Sequence, residues 1–149
     1  MKYDFIIVGS GIIGLTLAYK LKKKFNNSKI LILEKEKDSI QHGSGRNSGV
    51  IHSGIYYEPG SLRATLGVQG GRELKEYIKT KRLWMDECGK ILVPTSQNSY
   101  ENTEQLLARG IENGVIIKKL SGEQIANLEP NINNRYNIGL HVPFTSIAD

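Results

Sequence analysis

Cysteine is almost absent from this chain: Cys88 is the only one in 149 residues. That excludes an internal disulfide framework and suits a reducing compartment, so a cytoplasmic location is expected. Long apolar runs are also lacking. Nothing approaches the roughly 18 uninterrupted apolar residues of a spanning helix, and the opening MKYDFIIVGSG carries one lysine and too short an apolar run for a secretory signal. No set of His, Cys, Asp and Glu has metal-ligand spacing, so no metal is expected. There is no internal repeat and no low-complexity tract. Net charge is +5, yet the basic residues are scattered, and KLKKK at 20–24 is the only dense run. It falls where a helix should end, and cations are favoured there by the carbonyl dipoles. A nucleic-acid partner is therefore not expected, and acidic small ligands suit the charge better.

What is present reads as one ordinary globular domain, 39% hydrophobic and 23% charged. Tyr3 to Val8 is a continuous apolar run with the look of a strand buried on both faces. GSGIIG follows, placing Gly9, Gly11 and Gly14 in G-x-G-x-x-G spacing. Ile13, Leu17 and Leu21, with Ala18 and Phe25, then predict an amphipathic helix. Asn26-Asn27-Ser28 breaks it, and KILIL at 29–33 predicts a second buried strand ending at Glu34. Each part has a physical task. Gly9 permits the tight turn, Gly11 leaves room for a pyrophosphate at the backbone, and Gly14 lets the helix pack on the strand. The helix N-terminus offers free N–H groups to the anion. Glu34, 20 residues beyond Gly14, can accept hydrogen bonds from ribose hydroxyls. A carboxylate there argues against a 2′-phosphate, so NAD or FAD is favoured over NADP. The fingerprint alone does not choose between those two.

HGSGRNSGVIHSGIYY, at 42–57, has the glycine and serine density of a linker. A linker does not normally carry Val50, Ile51, Ile55 and paired tyrosines, which need somewhere to be buried. A plain NAD domain would usually pass from the second strand to the next helix within a few residues, whereas an irregular segment of about 25 residues intervenes here.

MKYDFIIVGSGIIGLTLA, ILILEKE, GRNSGVIHSGIYYEPGSL and CGKILV resemble the amino-terminal part of L-2-hydroxyglutarate oxidases and dehydrogenases, within the D-amino-acid-oxidase-like (DAO) group of FAD enzymes. The resemblance continues through NLEPNI to VPFTSIAD, and NSGVIHSGIYY is its most specific stretch. Arg46 stands where family members often have histidine, and the TSIAD ending matches loosely.

The resemblance implies FAD as cofactor, with residues 43–55 wrapped around the flavin and glycines letting the backbone lie against the flat ring. Ser44, Asn47 and Ser48 would bond phosphate, ribityl or flavin atoms, against the alternative of ordinary turn chemistry. Arg46 would pair with a phosphate or a substrate carboxylate, or else lie in solvent. Ile13, in the first helical turn, and Lys35, beside Glu34, complete the expected cofactor set. His52 is the candidate base for a 2-hydroxy acid, whose hydride passes to the flavin, against the alternative of orienting the loop or hydrogen-bonding the flavin. His42 is expected to be exposed and His141 to be structural or to line the substrate domain.

Farther along, Leu62, Leu66, Leu74 and Ile78 fall on one helical stripe that Gly70-Gly71 interrupts, glycines that either weaken the helix or allow close approach to a neighbour. GKILV at 89–93 predicts a strand, Tyr100 to Glu112 a polar helix with Leu106, Leu107 and Ile111 as its buried edge, and residues 136–143 another strand. Ser121 opens a short helix with a Ser-x-x-Gln capping box. Cys88 is expected to pack as a small apolar residue. Tyr56, Tyr57 and Trp84 are expected to serve core packing, with active-site lining as the alternative.

The expected fold is α/β: an FAD-binding Rossmann-like βαβ unit, residues 1–82, followed by the start of an α+β substrate domain, residues 83–149. Chains of the family are much longer, and a doubly wound sheet needs more strands than two, so an incomplete fold is expected. The expected function is that of the amino-terminal segment of an FAD-dependent oxidoreductase acting on a 2-hydroxy dicarboxylic acid, L-2-hydroxyglutarate, to yield 2-oxoglutarate. The alternatives are a related FAD oxidase of amino acids or glycerol 3-phosphate, and a non-catalytic truncated remnant. A second polypeptide completing the fold, and a peripheral membrane or quinone link in the full enzyme, stay open.

Overall fold

Two strands, β1 (Phe5–Val8) and β2 (Ile30–Leu33), run parallel in register from Phe5 opposite Ile30 to Val8 opposite Leu33. The crossover between these parallel neighbours is α1 (Ile12–Lys24). The structure, a computed structural model, describes residues 2–149 and divides into two compact units, Met1–Ser48 and Gly49–Asp149. The ladder of the first unit continues beyond the strands: Gly9 N–H donates to the Leu33 carbonyl at 2.7 Å, and Asp4 Oδ2 accepts from Lys29 N–H at 2.7 Å. Helix α1 closes on Lys22, Lys23 and Lys24, so most of the KLKKK run does sit at a helix C-terminus.

Burial in this unit departs from expectation. The strands are not buried on both faces: Ile7 is buried, but Ile6 is exposed and Val8 is 84% exposed. The inward strip of α1 is Gly14, Leu15, Ala18 and Leu21, all half-buried, while Leu17 is exposed and Ile13 is 81% exposed. One helix over a two-stranded sheet covers only the strip beneath it, whatever the hydrophobicity of its flanks.

The second unit contains β3 (Val50–Ile51), α2 (Leu62–Lys81), β4 (Met85–Asp86), β5 (Lys90–Leu92), α3 (Gln97–Glu101), α4 (Thr103–Glu112), β6 (Lys118–Ser121), α5 (Gly122–Leu128), β7 (Ile138–Val142) and β8 (Ser146–Ala148). Its strands form two antiparallel sheets, ordered β3-β8-β4 and β5-β7-β6. Ile55, Leu140 and Val142 make the buried core, with Leu92, Leu106, Leu107, Val115 and Ile117 packed against it. The Ser121–Gln124 capping box forms as expected.

Several expectations for this unit are corrected. Gly70-Gly71 leaves α2 unbroken for 20 residues, and of the two expected roles it is close approach that Gly71 shows, a Cβ there lying 3.3 Å from the His52 carbonyl oxygen. Its inward line is Ala64, Gly67, Val68, Gly71, Lys75 and Ile78, and Leu62, Leu66 and Leu74 are exposed. The glycines are where neighbours come close: a Cβ on Gly67 would lie 2.8 Å from the Tyr57 ring. The helix expected over Tyr100 to Glu112 is two, because the chain bends at Asn102 between α3 and α4, and Ile111 is exposed. Cys88 is exposed rather than packed, as are Trp84 and Tyr56.

Candidate cofactor site

The glycine turn between β1 and α1 is shaped by its own backbone. Gly9 has φ of +98°, in the region that favours glycine, and turns the chain out of β1. A Cβ on Gly14 would lie 2.0 Å from the Gly9 carbonyl oxygen, so only glycine lets the helix begin this close to the strand. Gly11 is the N-cap of α1 and offers no side-chain cap. The cap comes instead from Ser44, whose hydroxyl accepts the N–H of Ile12, 32 residues earlier, at 2.9 Å. A Cβ on Gly11 would lie 3.0 Å from that same oxygen. Helix geometry leaves the N–H groups of Ile13 and Gly14 without intrahelical acceptors. They lie beside a backbone that carries no side chain at Gly11, and free N–H groups at a helix start are the donors an anion would use.

Glu34 follows β2 and closes on this turn. Its Oε2 accepts both the N–H and the hydroxyl of Ser10, at 2.7 and 2.8 Å, and its Oε1 accepts the N–H groups of Lys35 and Glu36, at 2.9 and 3.1 Å. These donors, the Ser10 N–H first, hold the Glu34 carboxyl down at about 2, so it is an anion at any physiological pH. Ser10 itself is 3% exposed. It was not among the residues singled out from the sequence, where it is the unspecified position between two glycines. The signal that marks it is a hydroxyl in the turn facing an acid at the end of the neighbouring strand.

The remaining expected cofactor residues lie on the segment that supplies Ser44. Residues 43–45 form a short 3₁₀ turn. Asn47 Nδ2 donates to the Ser44 carbonyl at 2.8 Å, which is turn chemistry, so this side chain is engaged in shaping the loop. Arg46 is exposed and forms no ion pair among the described residues; Ser48 is exposed. Lys35 is exposed, with its ammonium 3.5 Å from Glu36. Gly9, Gly11, Gly14, Glu34 and Ser44 thus meet at one turn, whereas Arg46, Asn47 and Ser48 extend from it.

His52 belongs to the second unit, where its backbone is held from both sides. Ile51, in β3, is buried. Beyond it, Asn113 at the end of α4 donates to the carbonyls of Gly54 and Tyr57, at 3.0 and 2.8 Å. Gly71 of α2 passes close enough that a Cβ there would lie 3.3 Å from the His52 carbonyl oxygen. The segment at 50–57 is therefore anchored, with Ile51 and Ile55 buried as core residues and His52 exposed between them. His52 lines a cavity of about 420 Å³, together with Arg72, Lys75, Lys79, Glu76 and Glu87. Glu87 takes both lysines, Lys79 at 2.9 Å and Lys75 at 3.2 Å, and these bonds lower its carboxyl below the usual range. His42 is exposed, as expected, and bonds Glu36 Oε1 at 2.9 Å, and His141 is half-buried in β7. Among the described residues there is no cluster able to hold a metal ion and no helix long and apolar enough to cross a membrane.

A turn with glycines at the three positions that need them, an orphaned helix start and an ionised acid at the next strand suit a dinucleotide. The family model for FAD dependent oxidoreductases (DAO) matches residues 4–149. The chain belongs to this family. Its cofactor is FAD, and the residues present fit the ADP half: the α1 start and Gly11 would seat the pyrophosphate, and Glu34 stands where the ribose is expected. The chain is 46% identical over 99% of its length to the mitochondrial L-2-hydroxyglutarate dehydrogenase of Dictyostelium discoideum, covering 33% of that protein. It is 41% identical over 99% of its length to the mitochondrial L-2-hydroxyglutarate dehydrogenase of Homo sapiens, covering 32% of it. Against the L-2-hydroxyglutarate dehydrogenase of Escherichia coli K12 it is 39% identical over 98%, covering 34%. The chain thus spans about a third of the length of these relatives. Since two of the three are named as mitochondrial, a cytoplasmic location does not follow from the family. Among solved structures, dithionite-reduced L-alpha-glycerophosphate oxidase from Mycoplasma pneumoniae with FAD bound matches all of the chain with a TM-score of 0.88, at 32% identity and over 40% of its own length. Glycine oxidase from Geobacillus kaustophilus, at 18% identity and a TM-score of 0.85 over 98% of this chain and 40% of its own, shares the fold.

Proposed function

We propose that this chain is the amino-terminal part of an enzyme that oxidises L-2-hydroxyglutarate to 2-oxoglutarate. The observation that carries this reading is identity of 39–46% to dehydrogenases of that name across 98–99% of the chain. FAD, when bound, accepts the hydride from C2 of the hydroxy acid. This chain's residues hold its ADP half: Gly11 and the N–H groups at the start of α1 take the pyrophosphate, Gly9 and Gly14 shape the turn, and Ile13 lies in the first helical turn. Glu34, flanked by Lys35, faces the ribose. Ser44, Arg46, Asn47 and Ser48 lie toward the middle of the dinucleotide. His52 is the base that takes the hydroxyl proton; its anchored backbone and exposed ring on a cavity support that role.

Residues 1–82 then contribute to the flavin domain and residues 83–149 begin the substrate domain. The sheet β3-β8-β4 joins strands from both sides of residue 82, so that boundary is a point in the sequence rather than a gap in the fold. The decisive experiment is anaerobic titration of the full-length protein, followed by loss of the oxidised flavin absorbance. L-2-hydroxyglutarate is expected to bleach it. Bleaching by glycerol 3-phosphate or an amino acid, with none by L-2-hydroxyglutarate, would refute the assignment.

A further inference from the structure

Every lone pair of the Glu34 carboxylate is already taken by the chain. A carboxylate offers about four acceptor sites. Here Ser10 fills two through its N–H and hydroxyl, and Lys35 N–H and Glu36 N–H fill the others. A group whose task was confined to ribose hydroxyls would keep acceptor sites open. Ser10 directs two donors to one oxygen of an acid 24 residues away, and it does so while almost fully buried, inside the turn that Gly9 and Gly11 flank. The turn and the end of β2 are thereby locked together by the chain's own hydrogen bonds.

We propose that Ser10 is a positioning residue for the nucleotide: its double hydrogen bond to Glu34 Oε2 holds the phosphate turn and the β2 carboxylate in binding register before the ligand arrives. The reading rests on the cofactor assignment above. The physical reason for such a device is that a glycine turn is costly to order, and ordering it in advance removes that cost from the binding step. Ribose hydroxyls then compete with Lys35 N–H and Glu36 N–H for Oε1, leaving the Ser10 bonds intact.

The test is a double-mutant cycle on the full-length apoprotein, with ADP and FAD as the titrated ligands and calorimetry or flavin fluorescence as the readout. Ser10→Ala is expected to weaken both ligands about ten-fold, and Glu34→Gln at least as much. The double variant should lose less than the sum of the two single losses, because the bond from the Ser10 hydroxyl is removed in Ser10→Ala and weakened in Glu34→Gln, while the Ser10 N–H remains in both. Losses that simply add, with a matching drop in apoprotein melting temperature, would reduce Ser10 to a structural residue and overturn the proposal. Unchanged affinity in Ser10→Ala would overturn it as well. A wild-type protein that takes up neither ligand would instead remove the cofactor assignment on which it rests.

Discussion

The hydroxyl of Ser44 accepts the backbone N–H of Ile12 at 2.9 Å, so a residue on the glycine-rich segment caps the helix that the glycine fingerprint begins. The glycine turn at 9–14 and the start of the glycine-rich segment at 43–55 thus meet in one local structure. Gly11 is the reason they can. Its missing side chain leaves the space in which Ser44 Oγ stands, 3.0 Å from where a Cβ would be.

Gly11→Val should therefore yield a full-length protein without flavin. A branched side chain there displaces Ser44 and blocks the approach of the pyrophosphate. Retained yellow colour after purification would count against the site. Ser44→Ala is the milder probe: loss of one helix-capping hydrogen bond should lower stability by about 1 kcal/mol, measurable as a shifted denaturation midpoint at an unchanged denaturant slope.

Gly14→Ala tests the packing. The added methyl would overlap the Gly9 carbonyl, 2.0 Å away, and backbone cannot swing aside as a side chain can. We expect destabilisation of about 3 kcal/mol or more, seen in urea unfolding or as insoluble expression. A variant as stable as wild type would show that α1 can shift along β1.

Acid should act on the same turn. The Glu34 carboxyl is held at about 2, below its ordinary 4.5, by the Ser10 donors first. A lowered folded-state value means that its stabilising contribution is fully present above about 4.5 and is lost as pH falls toward about 2. Glu34→Gln, which cannot titrate, should flatten that part of the stability profile. An identical acid limb in wild type and variant would exclude Glu34 from the transition.

His52→Ala should keep its flavin and lose speed. Removing a general base typically costs about 10²- to 10⁴-fold, so flavin reduction by L-2-hydroxyglutarate in a stopped-flow instrument should slow by that order while the resting spectrum is unchanged. Wild-type reduction rates would take His52 out of the proton transfer.

Much of the βαβ framework was legible because its parts lie close in sequence. β1, the glycine turn, α1 and β2 occur where apolar runs and glycine spacing placed them, and Glu34 stands at the end of β2. Ser121 caps α5 through the box expected of it, since a cap needs only three residues of local sequence. The edges of burial were not legible. Leu62, Leu66 and Leu74 form a stripe that reads as a core face, yet α2 turns Ala64, Gly67, Val68, Gly71 and Ile78 inward, where the Tyr57 ring comes close at Gly67 and the His52 carbonyl at Gly71.

What the amino-acid order determined by itself is the βαβ unit and its capacity to seat a dinucleotide: glycine placement, helix polarity and strand hydrophobicity are local properties that act over a few residues. Tertiary structure alone decided that Ser10 clasps Glu34, that Ser44 caps α1, and that Ser146–Ala148 is the middle strand between Val50–Ile51 and Met85–Asp86. Strands of two or three residues have no periodicity to read. Their pairing is set by partners far away in the chain, found only when hydrogen-bond satisfaction and burial are solved for the whole unit together.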